Sequence, residues 1–411
     1  MVHRRRIRAL YPNFFGDNLI AYVALRILLY FNGPDIRADV MGICSEDSVR
    51  DFKKKKRRAL NPPESAVRAF RVYRDAIPPG IIWSVARRIF KGETLARFAE
   101  FRFLASLRPG DLVYAWPSAS VWLYRKLKER GYTVVSERIN TLVISSKRIL
   151  DAEYEAIGLP PSSHGLTNGA VDDELACMNL SDYIFSPSPA VTESIVSAGI
   201  PRSKVLESSY GLRNTDILPP RAATGGRSDT PVTAIFVGSV CVRKGIHLLL
   251  EAWNRSGVTA KLTVIGRVSP EVADMLAAAM SKNPNITHHD FMSDLKPVYA
   301  AADFFILPSL EEGSPLVTYL ALGASLPLLV SPMGSGGVIE DGKEGMVIDP
   351  HDIDGFAQAI KLLVSDESIR RRMSAASGAK APAYTWDKVA IRRLESLKVA
   401  CPAHFAPKAK R

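Results

Sequence analysis

Short apolar runs alternate with amphipathic stretches through most of the 411-residue chain. Runs rich in Val, Ile, Leu, Phe and Tyr, bounded by Gly, Pro, Asp or Ser, predict buried strands over residues 111–116, 133–137, 183–186, 232–237, 261–265, 304–307, 328–331 and 345–348. Between them, apolar positions at helical spacing predict helices over 118–130, 189–199, 245–254, 271–282 and 354–365. Strands alternating with helices are the pattern of parallel α/β sheets. No period of 20 to 50 residues recurs, which excludes solenoids and propellers.

A Pro-, Gly- and Ser-rich polar stretch, Leu218-Pro219-Pro220-Arg221-Ala222-Ala223-Thr224-Gly225-Gly226-Arg227-Ser228-Asp229, separates two such regions of similar size. It predicts one domain over 1–217 and a second over 230–384. Ligands of open α/β sheets bind outside the carboxyl ends of the strands, so the expected site is a cleft between the two sheets.

Composition leaves this picture in place, because 47% hydrophobic and 23% charged residues are ordinary globular usage. Charge distribution changes it. Residues 1–150 hold 29 Lys and Arg against 13 Asp and Glu, whereas the remainder holds 25 against 29. The densest run is Lys53 to Arg58, followed up to residue 102 by Arg68, Arg71, Arg74, Arg87, Arg88, Arg97 and Arg102 among Phe70, Tyr73, Trp83, Phe90, Phe98 and Phe101. Cations among aromatics over 51–102 suit an anionic membrane surface; a solvated loop beside an amphipathic core helix has the same pattern. No nucleic-acid-binding signature accompanies the charge, so nucleic acid is not an expected partner.

Cys44, Cys177, Cys241 and Cys401 stand far apart without metal-ligand spacing, which predicts neither disulfides nor a metal site and fits a reducing cytoplasm. Met1 to Arg8 lacks the apolar stretch and cleavage site of a signal peptide. Leu19 to Phe31 is too short to span a bilayer, and the uncharged stretch between Glu312 and Glu340 is broken by Pro315, Gly323, Pro327 and Pro332. A buried helix, turn and strand is expected there.

Two constellations carry chemistry. In Gly238-Ser239-Val240-Cys241-Val242-Arg243-Lys244-Gly245, a glycine after a strand and two cations before a helix form a cradle for an anion. The spacing is neither G-x-G-x-x-G nor that of a P-loop. In Phe304 to Leu316, a strand leads through Pro308-Ser309 to Glu311-Glu312-Gly313-Ser314-Pro315 and then a helix, a place for a carboxylate and free N–H groups to meet a polyol beside a diphosphate.

With these residues, Ala302-Asp303, Pro327, Gly342 to Pro350 and Tyr384-Thr385-Trp386-Asp387, the chain resembles glycosyltransferase family 4, and Ser186-Pro187-Ser188 and Tyr210-Gly211 extend the likeness toward the N-terminus. The resemblance implies a GT-B fold, two Rossmann-like domains with parallel sheets facing across a cleft, and a final helix over 385–400 that crosses back to the first domain. It implies a retaining, metal-independent enzyme without a cofactor that takes a UDP- or GDP-linked sugar to a glycan or lipid-linked acceptor; the basic region 51–102 adds the expectation of a peripheral position on the cytoplasmic leaflet.

Carried over by position, Arg243 and Lys244 resemble the diphosphate ligands and Glu312 the sugar-binding carboxylate, these three being the catalytic candidates. Gly16, Gly238, Gly266, Gly313, Ser314, Pro315, Leu316 and Val317 complete the donor side, and Arg138, Asn140 and His164 stand as acceptor-side candidates. The motif's second Glu, eight residues after Glu312, is Leu320 here, and counting from Glu311 reaches Tyr319 instead. Arg213 stands where an Asp is common. The substitution at Leu320 keeps a second expectation open, a noncatalytic sugar-nucleotide-binding or assembly-partner protein of the same fold. His288-His289 is expected in a loop and His164 as a local hydrogen-bond partner, while Trp253 and Trp386 are expected to pack.

Overall fold

A computed structural model describes residues 5–15, 19–44, 73–75, 92–219, 231–292 and 294–406. The first sheet is built from β1 (Arg5–Phe15), β2 (Ile36–Cys44), β3 (Tyr73–Asp75), β4 (Leu112–Ala115), β5 (Thr133–Glu137), β6 (Tyr183–Ser186) and β7 (Val205–Glu207). They lie in the order β3-β2-β1-β4-β5-β6-β7 and every pair is parallel. The second sheet holds β8 (Thr233–Val237), β9 (Lys261–Ile265), β10 (Ile286–His289), β11 (Phe304–Leu307), β12 (Leu328–Val330) and β13 (Gly345–Val347), in the order β10-β9-β8-β11-β12-β13, again parallel throughout. Each order reverses direction beside its first strand, the arrangement that opens a crevice at the strands' carboxyl ends.

β4 and β11 are buried along their whole length, which is why they read as continuous apolar runs. β1 and β2 read differently because charge lies inside their sheet. Arg8 stands opposite Asp39 in the strand register, its Nε 2.6 Å from Oδ1, and is only 1% exposed. Part of the N-terminal cationic excess is therefore sheet interior.

The helix Trp386–Ala400 packs against Leu19–Phe31 of the first half. Arg393, at its centre and fully buried, donates to Glu137 at 2.7 Å, to the Tyr114 hydroxyl at 3.0 Å and to the Ser209 carbonyl at 3.2 Å. Tyr114 and Tyr210 also donate to Glu137. Burial, reinforced by the Glu137 charge, lifts both phenols well above their ordinary value and keeps them donors. Burial opposes the Arg393 charge most strongly of any single cause, but Glu137, Tyr114 and Tyr210 together raise it further than burial lowers it.

His288-His289 belongs to β10, not to a loop, and the His288 Nε2 lies 2.8 Å from the Gly266 carbonyl. A two-histidine stretch hides a strand because neither residue has strong β preference. Trp253 and Trp386 are packed in the core. Gly16 and most of the basic region 51–102 lie outside the described residues.

Candidate donor site between the two sheets

At the crossover of the second sheet, the loops leaving β8 and β11 run side by side. The chain after β8 makes a tight turn at Val242–Lys244 and enters the helix Ile246–Ser256 through Gly245, whose φ of 68° is left-handed. A Cβ there would lie 2.0 Å from the Pro308 carbonyl, so glycine lets the turn sit against the exit of β11. Leu310 N donates to the Arg243 carbonyl at 2.9 Å and joins the two loops.

That junction brings Arg243, Lys244 and Glu312 together. Arg243 Nη1 lies 2.6 Å from Glu312 Oε1, and Lys244 Nζ pairs with the same oxygen. Lys244 and Glu312 are both buried. Burial alone would raise the Glu312 carboxyl, but Lys244 and then Arg243 hold it below the usual carboxylate range. Burial likewise disfavours the Arg243 charge, while Glu312 and Glu311 together keep it above its ordinary value.

The remaining donor-side residues form the frame. Gly238 N donates to the Ile265 carbonyl and Gly266 N to the His289 carbonyl, each at 2.9 Å, which fixes the ends of β8 and β9. Pro315 caps the helix Leu316–Gly323, the Ser314 hydroxyl lies 2.7 Å from the Tyr319 hydroxyl, and the Val317 carbonyl accepts from Tyr299. Leu316 and Leu320 pack against the apolar core. Gly313 lets the two halves approach closely, since a Cβ on it would lie 1.6 Å from the Ile139 carbonyl.

Glu311, which the sequence suggested only as an alternative frame, turns toward the first half and is 1% exposed. Its Oε1 accepts from the Thr141 hydroxyl at 2.8 Å and the Ser146 hydroxyl at 3.2 Å; its Oε2 accepts from Asn140 Nδ2 at 3.2 Å. Arg243 Nη1 lies 3.5 Å from the same Oε2 and donates to the Glu311 carbonyl at 3.1 Å. A second contact lies further along the helix Val143–Ala156, where the buried Glu153 accepts from His247 at 2.6 Å and His351 at 2.7 Å. Nothing local in the sequence marks these partners, which are 94 to 198 residues from the carboxylates they meet.

Of the acceptor-side candidates, Asn140 reaches the second half. Arg138 is held within the first by Glu174 at 2.5 Å and the Thr141 carbonyl at 3.1 Å. The His164 side chain is covered, with Nε2 2.7 Å from Asp151 and Nδ1 accepting from Leu166 N. Arg213 pairs with Asp216 at 2.5 Å. Burial pushes the thiols of Cys177 and Cys401 up to about 12 and about 11, so neither is poised as a nucleophile. Among the described residues, no three His, Cys, Asp or Glu side chains are grouped to hold a metal ion, and no helix is long and apolar enough to cross a membrane.

Residues 231–366 match the family described as Glycosyl transferases group 1. The lipopolysaccharide core biosynthesis glycosyltransferase LpsE of Rhizobium meliloti (strain 1021) is 27% identical over 209 residues, 50% of this chain and 61% of that protein. The chain spans about half the length of the curated relatives it matches. Among solved structures, Anabaena HepE in complex with UDP and glucose has a TM-score of 0.65 at 12% identity, covering 96% of this chain and 100% of that one. The lipopolysaccharide outer core galactosyltransferase WaaB, in its apo form, has a TM-score of 0.66 at 16% identity, covering 96% and 99%. At such identities the structures establish the fold. The two parallel sheets and their likeness to these solved structures give this chain a GT-B fold, and its segment 231–366 is similar to the group 1 glycosyl transferases.

Proposed function

We propose that the chain transfers a sugar from a UDP- or GDP-linked donor to a glycan or lipid-linked acceptor, with retention of anomeric configuration. The observation that carries this reading is the meeting of Arg243, Lys244 and Glu312 at the strand crossover of a group 1 domain. A diphosphate arriving there competes with Glu312 for two cations already removed from water, and the displaced carboxylate is left to accept hydrogen bonds from the sugar's hydroxyls. Arg243 and Lys244 then stabilise the charge that grows on the leaving group, the role a divalent ion fills elsewhere, so transfer should survive EDTA. With no general base in the motif, the donor phosphate itself assists departure on the front face.

In this reading residues 1–217 form the acceptor half, 230–384 the donor half, and 385–400 the helix that returns to the first. The name of LpsE and the UDP and glucose bound to HepE support a nucleotide sugar and a surface polysaccharide or glycolipid acceptor. The basic region 51–102 would hold the enzyme on the anionic cytoplasmic leaflet; its described end, the helix Gly92–Ser106, exposes Phe101 beside Arg97 and Arg102. Leu320 favours a second reading, a noncatalytic sugar-nucleotide-binding or assembly-partner protein, because an apolar side chain packed on the core replaces the motif's second carboxylate.

The deciding experiment incubates the full chain with UDP- and GDP-sugars and glycan or glycolipid acceptors, following nucleotide release and the anomeric configuration of the product by NMR. Transfer with retention supports the enzyme. Nucleotide binding without turnover favours the second reading, and binding of neither nucleotide refutes both.

A further inference from the structure

We propose that Glu311 is a positioning residue that couples closure of the two halves to the placement of Arg243, which rests on the role given above to Arg243 at the donor diphosphate. Glu311 is a buried carboxylate whose neutral donors, Asn140, Thr141 and Ser146, all come from the first half, while its charged neighbour Arg243 comes from the second. A buried carboxylate must have its lone pairs satisfied, and leaving it with fewer donors is strongly unfavourable.

The geometry makes those two groups of donors interdependent. With the halves together, three neutral donors occupy Glu311, and Arg243 Nη1 makes its shorter carboxylate contact with Glu312, 2.6 Å against 3.5 Å. When the halves part, Glu311 exchanges Asn140, Thr141 and Ser146 for water, and Arg243 is the charged partner left beside it. Arg243 is then drawn off the Glu312 position. Closure thus leaves the guanidinium at the donor site, and opening withdraws it. Gly313 serves the same approach, since only a residue without Cβ lets the loop meet Ile139 this closely.

The test uses the full chain and three variants, Glu311→Gln, Thr141→Val and their combination. Glu311→Gln keeps the volume but removes the charge and turns an amide N–H₂ toward donors. We expect kcat for donor turnover to fall about tenfold while donor KM and the Kd of free UDP or GDP change by less than about threefold, because the loss is felt in closure and not in nucleotide binding. Small-angle scattering should show a larger radius of gyration for the variant. Thr141→Val should add little to Glu311→Gln, since the two act through one contact. An unchanged scattering profile, additive effects of the two substitutions, or a loss confined to KM would each overturn the inference. If the wild type turns over no donor, the functional reading fails, and the scattering and cycle of stabilities still decide whether Glu311 holds the halves together.

Discussion

The helix Val143–Ala156 meets the opposite half at two places, and the two contacts use opposite chemistry. At its first turn the opposite half supplies the carboxylate, Glu311, and the first half supplies uncharged hydroxyl and amide donors. About two turns further on, the helix supplies the carboxylate, Glu153, and the opposite half supplies two imidazoles, His247 and His351. The first contact is therefore built from uncharged donors, and the second from a carboxylate that its imidazole partners hold below the usual range. Around the second stand further titratable groups, Asp349 3.5 Å from His351 and Glu271 3.5 Å from the Tyr154 hydroxyl.

Removing the buried ion pair that ties the returning helix to β5 has the largest expected effect. Arg393→Ala leaves Glu137 buried without its cation and unties the returning helix from β5, so denaturant unfolding should show a loss of about 3 to 5 kcal/mol. Next come the cations. Arg243→Ala should lower transfer roughly ten- to a thousandfold, and Lys244→Ala by less, because among the described residues Lys244 pairs with Glu312 whereas Arg243 lies against both Glu311 and Glu312. Equal kcat/KM values for both variants and the wild type would remove the donor site from this junction. Glu312→Gln should reduce kcat more than the affinity for free nucleotide, as its proposed partner is the sugar; equal losses would place it on the nucleotide.

The smallest effect belongs to the second contact and depends on pH. The His247 hydrogen bond, opposed by burial and aided by His351, holds Glu153 below the ordinary carboxylate range. A depressed folded value means that the stabilisation is present above the unfolded carboxylate range and is lost as pH falls through the lowered value. Glu153→Gln should thus be less stable than the wild type by about 1 to 2 kcal/mol at pH 7, and the gap should close on acidification below about pH 4. A gap that persists in acid would assign it to packing.

These contacts also mark where the sequence could be read and where it could not. The second sheet, β10 apart, was legible nearly to the residue because its central strands are buried and appear as uninterrupted apolar runs. β1 and β2 were hidden by Arg8 and Asp39, which look like surface charges until the register sets them opposite each other in the interior. The same division holds in the site. Arg243, Lys244 and Glu312 follow from strand–loop–helix spacing and do converge, but Glu311 takes its meaning from Asn140, 171 residues away, and Glu137 from Arg393, 256 residues away. Adjacency in the chain carries no information about partners of that kind.

Amide hydrogen exchange along residues 142–156 tests most directly whether the two contacts join the halves separately and whether the first is tied to the donor site. In Glu311→Gln, exchange should quicken at the start of the helix and lose its response to added UDP or GDP. In Glu153→Gln, it should quicken toward the helix's end and keep that response. The same exchange profile in both variants, or profiles indistinguishable from the wild type, would contradict a division of labour between Glu311 and Glu153.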